Sequence, residues 1–207
     1  MLIARGADLN AQASEVVSHR FRKHATTSAV GYTALMEACA RDQYDVVELL
    51  LQEGARNDIC DNNGQSALLL AVREASVGIV EMLLQEGART DICDLAGRSP
   101  LLLAVREAST GVVEMLLKAG ADVDATVSSS GMSVLMAAME LPERRTANIV
   151  AMLLEHSADV SAVDIDGATA LMIAAREDNG VALWAVMNAG AELDTVDSNG
   201  LDNQKNT

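Results

Sequence analysis

Leu68 to Leu84 reads LLLAVREASVGIVEMLL, and Leu101 to Leu117 reads LLLAVREASTGVVEMLL, the same segment displaced by 33 residues. A chain that reuses a unit of this length builds a quasi-one-dimensional stack, in which each unit covers its apolar face with its neighbour. Two markers extend the period beyond the twin segments. Gly, then a hydroxyl residue, then Leu recurs from Gly31, Gly64, Gly97, Gly131 and Gly167, at spacings of 33, 33, 34 and 36. Gly-Ala after a leucine run recurs at Gly6, Gly54, Gly87, Gly120 and Gly190, with Ser157-Ala158 standing in once.

Each pair of markers brackets two short helices. Thr33, Ser66, Ser99, Ser133 and Thr169 precede a helical apolar pattern by one residue, where a side-chain oxygen accepts from the first free amides of a helix. Pro100 follows Ser99 at the first helical position, where its missing amide is no loss. In the first unit Leu35, Ala38 and Cys39 fall on one helical face, and Val46, Val47, Leu50 and Leu51 on another. Gly54, Gly87, Gly120 and Gly190 sit just past the second helix, in the position commonly left-handed. At Ser157 the same conformation costs a side chain roughly 1 kcal/mol.

Composition narrows the function. A hydrophobic fraction of 50% with only 2% aromatic residues specifies an aliphatic core of thin, closely packed layers. The 30 acidic and 15 basic side chains give a formal charge of −15, which opposes attraction to phosphate backbones and anionic membranes. Nucleic acid is not expected as a partner. No apolar run approaches the roughly 18 residues needed to span a bilayer, and no signal core follows a charged N-terminus. Cys39, Cys60 and Cys93 are too few and odd in number for a disulfide framework. A soluble, monomeric, cytoplasmic chain is expected, with the nucleus also open.

These residues resemble the ankyrin repeat, whose unit reads D-x-x-G-x-T-P-L-H-x-A-A, continues through a second helix ending V-x-x-L-L, and closes on G-A-D. The resemblance implies an all-α solenoid of stacked antiparallel helix pairs with projecting β-hairpin loops. On this reading residues 1–10 are a partial repeat and 11–30 a basic insertion in the first hairpin. Five repeats then follow over 31–196, at about 28–60, 61–93, 94–127, 128–163 and 164–196, and 197–207 is a partial repeat with a disordered tail. The chain departs from the pattern in four places. The family's His is replaced by Met36, Leu69, Leu102, Met136 and Met172, so apolar contact is expected where the family has a polar bond. About 15 residues are added before Gly31, and about three near Leu141-Pro142, both expected in loops. The unit after Gly200 dissolves.

Catalysis is not expected, because no convergent cluster is present. His19 and His24 lie in the insertion off one helical face, and His156 ends a helix where a cation complements its dipole. No metal site or cofactor is expected either. Cys60 and Cys93 occupy equivalent positions in adjacent units, roughly 8–10 Å apart for packed helices, beyond the ~4.4–6.8 Å that a disulfide needs. The cluster His19-Arg-Phe-Arg-Lys-His24 reads first as a solvated loop that counters neighbouring acids, then as a contact for an acidic partner, and last as a grip on RNA. Glu48, Glu81 and Glu114 form an outer solvated row. Trp184 is expected to cover the end of the stack, an exposed contact being the other reading.

The resemblance implies protein recognition through a concave groove of hairpin tips and first helices. Carried over by position, it selects Tyr32 and Arg41 in the first unit and Asn62, Asn63, Gln65, Arg73 and Glu74 in the second. The third contributes Leu95, Arg98, Arg106 and Glu107, the fourth Met132, and the fifth Ile165 and Arg176. Tyr32, Arg98 and Arg106 are the expected anchors, since aromatics and arginine dominate hot spots. Arg73, Arg106 and Arg176 also recur beside Glu74, Glu107 and Glu177, so a ladder of salt bridges across repeats is the alternative. A scaffold or adaptor is the leading expectation. A targeting or regulatory segment of a larger enzyme, such as a kinase or ubiquitin ligase, is the other.

Overall fold

A computed structural model describes residues 8–14, 30–193 and 195–198. The chain forms two compact units, Met1–Leu95 and Ala96–Thr207. The first holds α1 (Ala34–Ala40), α2 (Tyr44–Gln52), α3 (Ala67–Arg73) and α4 (Val77–Gln85). The second holds α5 (Pro100–Arg106), α6 (Thr110–Lys118), α7 (Val134–Met139), α8 (Glu143–Glu155), α9 (Ala170–Arg176) and α10 (Gly180–Asn188).

The hydroxyl caps form as the sequence predicts. Thr33, Ser66, Ser99, Ser133 and Thr169 are extended, and each accepts from the amide three residues on. Two of these caps hold a bond that apolar replacement does not explain. The Thr33 amide donates to Met36 Sδ at 3.4 Å, and the Ser133 amide to Met136 Sδ at 3.4 Å. A thioether is a weak acceptor, so these two methionines retain a polar contact at the cap.

Within the first unit α1 packs on α2 and α3, and α3 on α4. Within the second, α5 packs on α6 and α7, α7 on α8 and α9, and α10 on α8 and α9. This is the packing of a stack of helix pairs. The first helices are enclosed on nearly every side: Ala67 to Val72 and Pro100 to Val105 are buried without interruption. The second helices bury one stripe, which in α2 is Val47, Leu50 and Leu51. Val46, expected beside them, is 43% exposed, because it falls on the flank of that stripe rather than within it.

Gly54, Gly87, Gly120 and Gly190 have φ between 72° and 95°, and Ser157 has φ 65°, so the stop after the second helix is left-handed in all five repeats. A second left-handed residue stops the first helix in four of them. Asp42, Ala75, Ala108 and Asp178 stand there with φ between 51° and 55°. The fourth unit is different, and the expectation of a longer loop there is corrected. Its extra residues join the second helix: α8 has 13 residues where α2, α4, α6 and α10 have 9.

Buried polar groups secure this longer helix. Thr146 Oγ1 donates to Leu141 O at 2.8 Å. Asn179, 3% exposed, donates through Nδ2 to Leu141 O at 3.0 Å and to Thr146 Oγ1 at 3.1 Å. Its Oδ1 accepts from the Ala182 amide and caps α10. One side chain therefore both starts α10 and ties it to the turn before α8.

Candidate interaction surface

Among the described residues the loops between helix pairs turn back without regular strands. Among the described residues they carry isolated antiparallel bridges, Cys60 to Ser66, Thr126 to Ser133 and Val163 to Thr169. An aspartate organises the turn. Asp61 Oδ1 accepts from the Asn63 amide at 2.8 Å and the Gln65 amide at 2.7 Å, and Asp164 Oδ1 from the Asp166 and Ala168 amides at 2.9 and 2.8 Å.

Successive tips are joined through the backbone. In the first unit the Asn62 amide donates to Val30 O and the Leu95 amide to Asn63 O. In the second, the Ile165 amide donates to Ser130 O and the Ser198 amide to Asp166 O. The register is the same each time. It also explains the glycine that marks every unit. A Cβ on Gly64, which has φ 74°, would lie 3.2 Å from Cys93 O and Leu95 N, so a side chain there would force neighbouring tips apart.

With its amide occupied, the tip residue projects its side chain outward. Leu95 is 79% exposed and Ile165 is 70% exposed. Asn62 is exposed and Asn63 half-buried. The charged residues predicted beside the tips lie at the ends of first helices, Arg73, Arg106 and Arg176 as last residues and Arg41, Glu74 and Glu107 as C-caps. Arg41, Arg106, Glu107 and Arg176 are exposed, while Arg73, Glu74, Arg98 and Met132 are half-buried. Arg176 Nε meets Glu177 Oε1 at 3.2 Å, a pair within one unit. Arg106 Nη2 reaches Met132 Sδ at 3.5 Å.

Two residues predicted on this surface lie inside. Tyr32 is 4% exposed and Gln65 is 1% exposed. Both follow the turn glycine, where the chain enters the next cap and its side chain turns inward. Residues 8–14 add to this around Tyr32: the Ala13 amide donates to Tyr32 O, the Gly31 amide to Ala13 O, and Gln12 Nε2 to Gly31 O. Tyr32 is thus an aromatic core residue rather than an anchor.

Trp184, expected to cover the end of the stack, is 70% exposed on α10. The basic cluster at residues 19–24 and the tail at 201–207 lie outside the described residues.

The cysteines are all unpaired. Burial pushes the Cys39 thiol up to about 12. Cys60 is raised by burial first and then by Asp61 and Asp58, and Cys93 by burial and then by Asp94 and Asp91. Each change disfavours the thiolate, the reactive form. Among the described residues no group of three or more His, Cys, Asp or Glu converges as a metal site, and no helix is long and apolar enough to cross a membrane.

Helix pairs of near-constant length, started by a hydroxyl, ended by a left-handed residue and joined by tips in register, define an all-α helical-repeat protein. The family described as ankyrin repeats (3 copies) matches residues 1–94, 35–127 and 101–197. The chain belongs to the ankyrin repeat family. Its repeats are of a type that generally mediates protein–protein interaction and is typically non-catalytic. A search of curated proteins finds no match.

Proposed function

We propose that the protein is a non-catalytic scaffold or adaptor that binds a partner protein through the tips and first-helix ends of each unit. The observation that carries this reading is the exposure of Leu95 and Ile165, 79% and 70%, on backbone already held in place. A large aliphatic side chain kept in water gains by burial at an interface, and a rigid backbone lowers the entropy lost on binding. In the first unit Arg41, Asn62, Asn63, Arg73 and Glu74 supply further contacts, and in the second Arg98, Arg106, Glu107, Met132 and Arg176 do. The unpaired cysteines support a reducing compartment, the cytoplasm.

The test is affinity purification with mass spectrometry, comparing the wild type with a Leu95→Asp/Ile165→Asp variant of the same melting temperature. Loss of the specific partners is expected. Recovery of the same partners by both proteins would refute the tip assignment.

A further inference from the structure

The helix α10 reads GVALWAVMN and carries no charged residue, whereas α2, α4, α6 and α8 each hold at least one acidic side chain. A helix that is apolar on nearly every side is ordinarily buried. Here only Ala182 and Val186 are buried, while Val181, Trp184 and Met187 are 41%, 70% and 42% exposed.

The repeat supplies an internal comparison. Aligned on the left-handed stops, Val47, Val113 and Val150 hold the place of Leu183, and Leu51 and Leu117 that of Met187. The three valines are 0% exposed and the two leucines 9% and 5%, because α4 packs on α2, α8 on α6 and α10 on α8. No helix follows α10 among the described residues, so Leu183 is half-buried and Met187 open. The tip of a following unit is nonetheless in register, its Ser198 amide donating to Asp166 O. Two residues widen the apolar face: Trp184 stands where α2 and α6 have Glu48 and Glu114, and Val181 where they have Asp45 and Gly111. The face is thus the stacking surface of the repeat, enlarged and left uncovered. Residues 199–207 contain one apolar side chain, Leu201, too few to replace the stripe of another second helix. The charge of the chain selects among other occupants. At −15 it repels a second copy except where a surface is neutral, and α10 is neutral. A basic partner, attracted by that charge elsewhere, finds no carboxylate on this helix. A second copy brings the same neutral apolar face, which a two-fold axis makes its own complement.

We infer that the α10 face joins two copies of this chain, each covering Val181, Leu183, Trp184 and Met187 of the other. The α10 of the second copy takes the place on α10 that α8 takes on α6. So small a face gives a weak dimer, half-formed at about 10–100 µM, and the dilute chain is the monomer expected from its sequence. This contact is separate from the tips and does not rest on Leu95 or Ile165.

The test is sedimentation equilibrium of the full chain from about 1 to about 500 µM, over which the mass should approach twice that of one chain. Trp184 is the sole tryptophan, so its emission should move to shorter wavelength across the same series as the ring leaves water. Added salt should strengthen association, because it screens the repulsion between two acidic chains. The decisive variant is Val181→Asp/Trp184→Glu, which gives α10 the residues that α2 holds at the same places, Asp45 and Glu48. Both side chains are exposed, so the melting temperature should be kept while association weakens about thirtyfold or more. The Leu95→Asp/Ile165→Asp variant should dimerise as the wild type does. A wild type that stays monomeric at the highest concentration would overturn the inference and leave the face to a different protein. Unchanged association in the α10 variant would overturn it as well, as would a dimer lost in the tip variant or on adding salt. So would dimerisation that emerges only once residues 199–207 are deleted, by showing that the chain's own tail is the occupant.

Discussion

Ala75 offers a direct test of how the first helix of a repeat is stopped. It is exposed and left-handed, with φ 54°, and sits between Glu74, the C-cap of α3, and Ser76, which precedes α4. Its amide donates to Val72 O at 2.9 Å and the next amide to Ala71 O at 3.1 Å, so the backbone is committed by the helix it terminates. A Cβ in that region costs about 1–2 kcal/mol. Ala75→Gly removes this strain but enlarges the unfolded ensemble, which returns about 0.4–1 kcal/mol. The net expectation is a gain of about 0.5–1 kcal/mol. Asn tolerates the left-handed region and should fall between Gly and Ala. Val, β-branched, should lose about 1 kcal/mol or more. Urea unfolding followed by circular dichroism at constant m-value gives the order Gly, Asn, Ala, Val. Equal stability of the Ala and Val proteins, or a glycine variant weaker than wild type, would refute the reasoning, because packing cannot set the order at an exposed site.

Three further outcomes follow from the same backbone and side-chain geometry. Ser157→Gly, at φ 65° where four other units already have glycine, should raise stability by about 0.5–1 kcal/mol in the same assay. Asn179→Ala should lower it by about 2–4 kcal/mol, since it removes the cap of α10 and leaves the half-buried Leu141 carbonyl and the buried Thr146 hydroxyl with one donor fewer; Asn179→Asp, which keeps the cap acceptor, should recover part of the loss. The Cys39 thiol, at about 12 in the folded protein against 9.0 ordinarily, favours the native state fully below pH 9 and progressively less as pH rises toward 12. Wild type should therefore lose stability above pH 9 faster than Cys39→Ala, by up to about 1.4 kcal/mol per pH unit. Urea midpoints from pH 8 to 11 check it.

The repeat, its caps and its second-helix stops were legible because each depends on a residue with few substitutes: a short hydroxyl for the first amides, a glycine past the last turn. The first-helix stop was hidden because alanine and aspartate occupy it, and neither announces a positive φ. The insertion near Leu141 was located correctly but read as loop. What the sequence lacks there is any sign that Thr146 and Asn179 would together support another helical turn. Tyr32 misled for a different reason. Family position placed it near the tip, whereas the direction of its side chain is set by backbone geometry after Gly31, a geometry that also buries Gln65. Leu95 and Ile165 were selected on the same positional rule, and there the backbone points outward.

The register between tips has a consequence for how such a surface can change. The tips at Asn62 and Ile165 are held by backbone amides, carbonyls and an aspartate, and that at Leu95 by its own amide, none of which depends on the identity of these three side chains. Those positions are therefore free to drift: a library randomised at the three of them should yield folded proteins at nearly the parental rate, so their side chains can be changed by selection while the architecture stays where it is.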